Sequence, residues 1–269
     1  MNGEPPVFVV GAQRSGTTML RLMLNAHSRL AIPFELDFLA AMDEHEDDFD
    51  ASRVLRRLAE HPWTKRAQID FDEQEILKKH PRGHSELFRE VFGQWAATQG
   101  KTRWGNKTPT YVTEMDRLFQ LFPDSQFIHI VRDGRDVAVS LASVSWGSKH
   151  IPSVAADWRW KTTLGRKMGN ILGRNYLEVR YESLVAGPRE TLEGICDFLG
   201  IPYEDNMLSY PNTAADALPN DSLQWHQSSI SPPDIRKIGM WNNEMSYADK
   251  YIFEDVAGDA LALFGYERL

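Results

Sequence analysis

Hydrophobic and polar positions follow two different periods along this chain. Five short β-type runs, at 7–10, 30–32, 102–105, 127–131 and 176–180, read as strands. Between them apolar residues recur at helical spacing. Met19, Leu20, Met23 and Leu24 form one such face, Leu118, Leu121 and Phe122 another, and Leu192, Ile195, Phe198 and Leu199 a third. Strands alternating with helices predict an α/β protein: a largely parallel sheet with helices on both faces. Residues 36–100 read as mostly helical, an inserted or lid-like region within one domain spanning residues 1–269. Residues 203–245, rich in Pro, Ser, Asn and Asp, read as long loops. The last helix is predicted over 247–264, stopping at Gly265.

Composition narrows the class. Eight Trp, eight Tyr and thirteen Phe in 269 residues supply enough apolar bulk for a real core, which excludes wholesale disorder. A net charge of −8 argues against a dedicated nucleic-acid or polyanion binder, so any bound anion must be held by a few local charges. Cys196 is the only cysteine, which excludes an intrachain disulfide and a cysteine-based zinc site. There is no run of about 18 apolar residues to span a membrane. The first six residues carry no basic region or cleavage site. The expectation is a cytoplasmic protein, in which the acceptor patterns at Asn106-Lys107-Thr108 and Asn220-Asp221-Ser222 carry no glycosylation. The acidic run at 43–50 reads as a solvated loop rather than a metal site, and it makes one side of the molecule negative. No heptad or edge pattern speaks to oligomeric state.

Two places are built for anions. Val7-Phe8-Val9-Val10 runs straight into Gly11-Ala12-Gln13-Arg14-Ser15-Gly16-Thr17-Thr18 and then a helix. A strand, a glycine-bounded loop and a helix N-terminus together present backbone N–H groups and a favourable dipole to a phosphate. A nucleoside-triphosphate loop would continue with Lys and then Ser or Thr. Here the position after Gly16 is Thr17, and the cation sits inside the loop as Arg14. The second place is the end of the 127–131 strand, where Arg132-Asp133-Gly134-Arg135-Asp136 precedes a helix carrying Ser140. A triphosphate-hydrolysing enzyme usually ends that strand in a magnesium-binding Asp. This one ends in a cation, and Arg132 with Ser140 makes a second phosphate site. Arg135 and Asp136 are read as a local ion pair. Two phosphate sites and no magnesium site suggest a nucleotide phosphorylated at both ends of its ribose.

These residues resemble the sulfotransferases that use 3′-phosphoadenosine-5′-phosphosulfate (PAPS) and release 3′-phosphoadenosine 5′-phosphate (PAP). The likeness is closest to tyrosylprotein sulfotransferases and related bacterial sulfotransferases, and runs from Val7 to about Trp241 with four motifs in the family's order. The stretch Arg14-Ser-Gly-Thr-Thr-Met-Leu-Arg-Leu-Met-Leu-Asn-Ala-His27 resembles that subgroup almost residue for residue. The resemblance implies a phosphate-loop-like nucleotide-binding fold. It implies that Arg14, Ser15, Gly16, Thr17 and Thr18 hold the 5′-phosphosulfate. Arg132 and Ser140 would hold the 3′-phosphate, Tyr181 would lie near the adenosine, and Arg236 and Lys237 would close on the 3′ end. It puts Glu35 where the family has its catalytic base. Gly105-Asn106-Lys107-Thr108-Pro109 resembles the segment that supplies a catalytic Lys, here Lys107. No metal is implied. Gln13 departs from the family's usual Pro or Lys. The eukaryotic tyrosylprotein enzymes are membrane-anchored and carry disulfides, features with no counterpart here.

The resemblance implies in-line transfer of a sulfuryl group to a hydroxyl, with Glu35 as base and Arg14 and Lys107 countering negative charge. The acceptor would be a phenol, an alcohol or a peptide tyrosine, a small molecule being favoured over a protein. The acid-rich segment after Glu35 is expected to disfavour a polyanionic glycan. His27 reads as a helix-end cap, and Trp146, Trp158 and Trp160 as helix-face packing. Ser228 and Ser229 are candidates for cofactor contact. The competing readings are a small-molecule or nucleotide kinase with an altered phosphate loop, and a nucleotide-binding protein without catalysis.

Overall fold

Four consecutive apolar residues suit a strand covered on both faces. In the computed structural model, which describes residues 4–43, 45 and 48–269, β1 (Val7–Val10) is fully buried. It lies at the centre of a five-stranded sheet with β2 (Leu30–Ala31), β3 (Arg103–Lys107), β4 (Gln126–Val131) and β5 (Tyr176–Arg180). The order is β2-β3-β1-β4-β5 and every pairing is parallel. Register places Val7 opposite Gly105 on one side and Gln126 on the other. The carboxyl ends of β1, β3 and β4 therefore come level, and that end of a parallel sheet is where ligands bind.

The helices follow the expected crossovers. α1 (Thr17–Asn25) follows β1. Between β2 and β3 the chain makes α2 (Ala51–Glu60), α3 (Pro62–Arg66), α4 (Glu73–Lys78) and α5 (His84–Thr98). Asp50 and Asp72 cap α2 and α4 by accepting from the backbone N–H groups of Arg53 and Glu75. α5 buries Leu87, Phe88, Val91 and Phe92 in the same core as the sheet, where Phe8, Phe38, Trp104 and Phe122 pack ring against ring. α6 (Met115–Leu121), α7 (Gly134–Ala142) and α8 (Ile151–Leu172) follow, then α9 (Tyr181–Ala186) and α10 (Pro188–Leu199). The stretch from 203 to 245 is a series of single turns, among them α11 (Pro211–Ala214), α12 (Gln227–Ile230) and α13 (Trp241–Glu244). Its Pro, Asn and Ser content lets no helix propagate. α14 (Tyr247–Leu263) closes the chain against α7 and α8, forming a second apolar cluster around Trp158 and Phe253.

The structure moves some boundaries. β2 stops at Ala31, one residue early, and β3 extends two residues past Gly105, so that Asn106 and Lys107 belong to the sheet. β4 begins one residue earlier and α14 ends one residue earlier than the periodicity indicates. Glu44, Glu46 and Asp47 of the acidic run, and Met1 to Gly3, lie outside the described residues. Asp43 is not a free acid: it is buried between Arg53 at 2.8 Å and Arg57 at 2.9 Å. Among the described residues no helix is long and apolar enough to cross a membrane.

Candidate active site

The loop after β1 makes a turn that only certain residues can adopt. Gly16 has φ +94°, and a Cβ there would sit 2.5 Å from Cδ2 of Tyr181. Arg14 also lies in the left-handed region, at φ +65°. The N-terminus of α1 carries no side-chain cap, so its first amides are free for an anion. Ser15 Oγ is fully buried within the loop and has no partner. That is unfilled hydrogen-bonding capacity where an anion would sit.

The two stretches expected to hold anions meet in one continuous candidate site. Arg14 Nε donates to Ser140 Oγ at 3.0 Å, and Arg132 Nη1 donates to the Arg14 carbonyl at 3.2 Å. Tyr181 lies across both, its ring against Gly16 and 4.3 Å from the Arg132 guanidinium. Burial and the neighbouring Arg132 charge both lower the pKa of Arg14. Arg132 Nε is buried and unpartnered, and its nearest carboxylate, Asp136, is 3.9 Å away. Two close guanidiniums with so little local counter-charge suit a doubly anionic ligand.

Asp136 does something other than pair with Arg135. Its carboxylate is buried and accepts from the backbone N–H groups of Gly239 at 2.8 Å and Trp241 at 3.0 Å. This ties the returning chain to α7. Burial raises its pKa. Arg135 instead donates to Asp133, and its guanidinium stacks 3.6 Å from the Trp241 ring. Trp158 does pack in the core, and its indole N–H donates to the Arg132 carbonyl at 3.0 Å, fixing the strand end.

Glu35 and Lys107 meet at the same end of the sheet. The Lys107 ammonium is fully buried, donates to Glu35 Oε1, lies 3.4 Å from Thr18 Oγ1 and sits 5.2 Å from the Phe34 ring. Burial lowers its pKa, with Glu35 opposing. The Glu35 side chain keeps 29% exposure, toward the cavity it lines. The next residue is gripped from the end of β3 and the residue after it: Asn106 Nδ2 and Thr108 Oγ1 both donate to the Leu36 carbonyl, at 2.9 and 3.1 Å.

These groups surround a cavity of about 700 Å³, large enough for a nucleotide and part of a second molecule. Arg14, Gly16, Thr17, Thr18, Glu35, Arg132, Ser140, Tyr181 and Lys237 line it; Ser15 and Lys107 lie just behind the wall. Arg236 is not brought there: its side chain, 86% exposed, makes a two-pronged pair with Asp234. Ser228 and Ser229 do line the cavity. So does Trp146, which meets Trp225 edge-on at 6.4 Å instead of packing on a helix face. Trp160 is exposed on α8.

His27 is buried away from the cavity. It accepts from the Arg29 N–H at Nδ1 and donates to the Pro202 carbonyl at Nε2, linking two loops rather than capping its helix. The sequence reading missed Trp63, Arg66, Trp225 and His226 in the cavity wall. Trp63 and Arg66 stand on the short helix α3 and Trp225 and His226 in the returning chain, and their common wall exists only once the chain has folded back. The Trp225 carbonyl accepts from Arg14 at 3.0 Å. His226 is brought to about 4 by burial and by the Lys107 and Arg14 charges, so its imidazole is neutral at physiological pH.

A parallel sheet whose central strand feeds a glycine-turned amide loop, with a cation at the neighbouring strand end, defines a phosphate-loop-like nucleotide-binding protein. Similarity to known proteins gives the family. Residues 5–205 match the family model described as "Sulfotransferase family", and the chain belongs to that family. It is 24% identical over 281 residues to the protein-tyrosine sulfotransferase of Drosophila melanogaster, covering 98% of this chain and 52% of the relative. The chain thus spans about half the length of that relative. Among solved structures, the sulfotransferase domain of the Synechococcus PCC 7002 olefin synthase superposes with a TM-score of 0.70 at 23% identity, over 100% of this chain and 97% of that one. Mouse sulfotransferase SULT7A1 complexed with PAP superposes at 0.51 and 16% identity, over 96% and 84%. Both share the fold.

Proposed function

We propose that this chain transfers a sulfuryl group from PAPS to the hydroxyl of an acceptor, a small phenol or alcohol in preference to a peptide tyrosine. The observation that carries this reading is the Lys107 ammonium held between Glu35 and Thr18, where the phosphate loop meets the open cavity. Bound PAPS would supply a sulfuryl group already activated by its link to phosphate. Ser15, Gly16, Thr17 and Thr18 would hold its 5′ end, and Arg132 and Ser140 its 3′-phosphate. Tyr181 would flank the nucleoside, and Lys237 would approach from the returning chain. Arg236 would join only by leaving Asp234.

Glu35 takes the acceptor's hydroxyl proton, a role it can fill only as that proton becomes acidic during bond formation. Arg14 and Lys107 counter the negative charge on the transferred group and on the leaving oxygen. A kinase reading lacks its two marks, since Thr17 stands where the phosphate-loop Lys belongs and β4 ends in Arg132 instead of a magnesium-binding Asp. The acidic run gives no ground for excluding a polyanionic acceptor, because Asp43 is neutralised and no described residue of the run lines the cavity.

The test is thermal unfolding with PAP and, in parallel, with ATP and magnesium, followed by PAPS turnover against a panel of phenols, alcohols and tyrosine peptides. Ligand at about 100 times its dissociation constant adds roughly 2.7 kcal/mol of stability. A rise with PAP alone that Arg132→Ala abolishes, and turnover that Glu35→Gln abolishes, are expected. A rise only with magnesium ATP overturns the reading in favour of a kinase.

A further inference from the structure

Arg21 belongs to neither anion site and does not line the large cavity; it lines a smaller one of about 120 Å³ beside Phe34 and Arg66. It is nevertheless a buried guanidinium on the helix that the phosphate loop feeds. Nε donates to two successive carbonyls, Ile32 O at 2.8 Å and Pro33 O at 3.1 Å, and Nη1 donates to Ala217 O at 2.8 Å. Among the described residues no carboxylate forms an ion pair with it.

Burying an arginine on three backbone carbonyls is an expensive way to hold a fold together, since the charge loses its hydration without gaining an opposite charge. What the three contacts share is their destination. Ile32 and Pro33 lead directly into Phe34 and Glu35, while Ala217 belongs to the returning chain that carries Trp225 and His226 into the cavity. On the far side of Glu35 the Leu36 carbonyl is already fixed by Asn106 and Thr108. Asn25, at the end of α1, accepts from the Ile32 N–H at 2.9 Å and so ties the start of this segment to the same helix; among these contacts Arg21 alone joins the Ile32 and Pro33 carbonyls and the Ala217 carbonyl through one group.

We propose that Arg21 is a positioning residue that sets Glu35, the phosphate-loop helix and the 217–226 segment in one register. This rests on the sulfuryl-transfer reading for its catalytic consequence but not for its structural one. The guanidinium also acts through space. Glu35, Lys107, Lys101 and His226 are the titratable groups that feel its charge. Losing that cation would raise the pKa of Lys107.

The experiment uses Arg21→Gln and Arg21→Lys, each first shown to be folded by circular dichroism and melting. Hydrogen exchange is measured across the chain without ligand. Arg21→Gln should accelerate exchange in both 32–37 and 214–226 while leaving β4 and α7 protected. In turnover, a base displaced by about 1 Å should lower kcat about 100-fold, with KM for the donor changed less than about threefold. The alkaline limb of the pH profile, where Lys107 loses its proton, should move upward in Arg21→Gln and return in Arg21→Lys, which restores the charge but not the three-way geometry. Unchanged exchange in 32–37 overturns the proposal, and so does a loss of kcat matched by an equal rise in donor KM. If the wild-type protein transfers no sulfuryl group but the exchange pattern holds, the functional reading fails and the three-way tie stands.

Discussion

Replacing Gly16 with Ala probes the turn on which the anion site depends. At φ +94° an L-residue is forced into backbone space that costs about 1–2 kcal/mol. The added methyl would lie 2.5 Å from Cδ2 and 2.9 Å from Cε2 of Tyr181, so the ring must retreat by about 1 Å to reach van der Waals contact. Overpacking of this kind costs about 1–3 kcal/mol, for a total of about 2–5 kcal/mol. The ring that moves is the one stacked 4.3 Å from Arg132, so affinity for PAP should fall with stability. Urea unfolding gives the first quantity and titration calorimetry the second. The Gly16→Ala/Tyr181→Ala double variant separates the causes: it should recover the steric part and leave the backbone part, giving a favourable coupling of about 1–3 kcal/mol. A Gly16→Ala protein within about 1 kcal/mol of wild type, or strictly additive effects in the double variant, would refute the reasoning.

Lys107→Met should leave stability nearly unchanged, because Met fills the buried volume without a charge and the half-buried Glu35 carboxylate can turn to solvent. Its kcat should fall about 100- to 1000-fold; an equally large loss of stability by urea unfolding would contradict this. Asp136→Asn leaves one acceptor oxygen for two amides that now share a carboxylate, at a cost of about 1.5–3 kcal/mol. Hydrogen exchange at 237–241 should accelerate, and protection equal to wild type would speak against the tie. His129 is held at about 4 by burial, against an ordinary 6.5, and His226 likewise. The unfolded chain therefore binds protons that the native one refuses. Stability from these groups is complete above about pH 6.5 and is lost as pH falls toward 4, by up to roughly 3 kcal/mol for the fully buried His129. Urea midpoints that do not change between pH 7 and pH 5 would count against it.

Sequence and structure agree where the chemistry is local. The uninterrupted run of β1 demands burial on both faces, the glycines that follow demand a turn with positive φ, and the missing Lys after Gly16 separates this loop from those built for triphosphates. These are properties of neighbouring residues, so the α/β class, the parallel strands and the cavity residues Arg14, Arg132 and Ser140 are legible before any folding, whereas Tyr181 is marked only by the family resemblance. Arg236 shows the limit even within a motif, because a neighbour two positions away, Asp234, captures its side chain.

What only the tertiary structure decided is the set of contacts between segments remote in the chain. Arg14 and Ser140 are 126 residues apart and share a hydrogen bond. Lys107 reaches Glu35 because parallel register brings the ends of β1 and β3 level and lays the segment after β2 beside them. Asp136, read as part of a local ion pair, holds the returning chain instead, and Trp225 and His226 enter the cavity from a stretch whose composition promises only loops. Local sequence dictates backbone conformation through sterics and periodicity that act over a few residues. Which carbonyl a buried guanidinium such as Arg21 finds depends on how whole elements pack, and no short stretch of the chain contains that information.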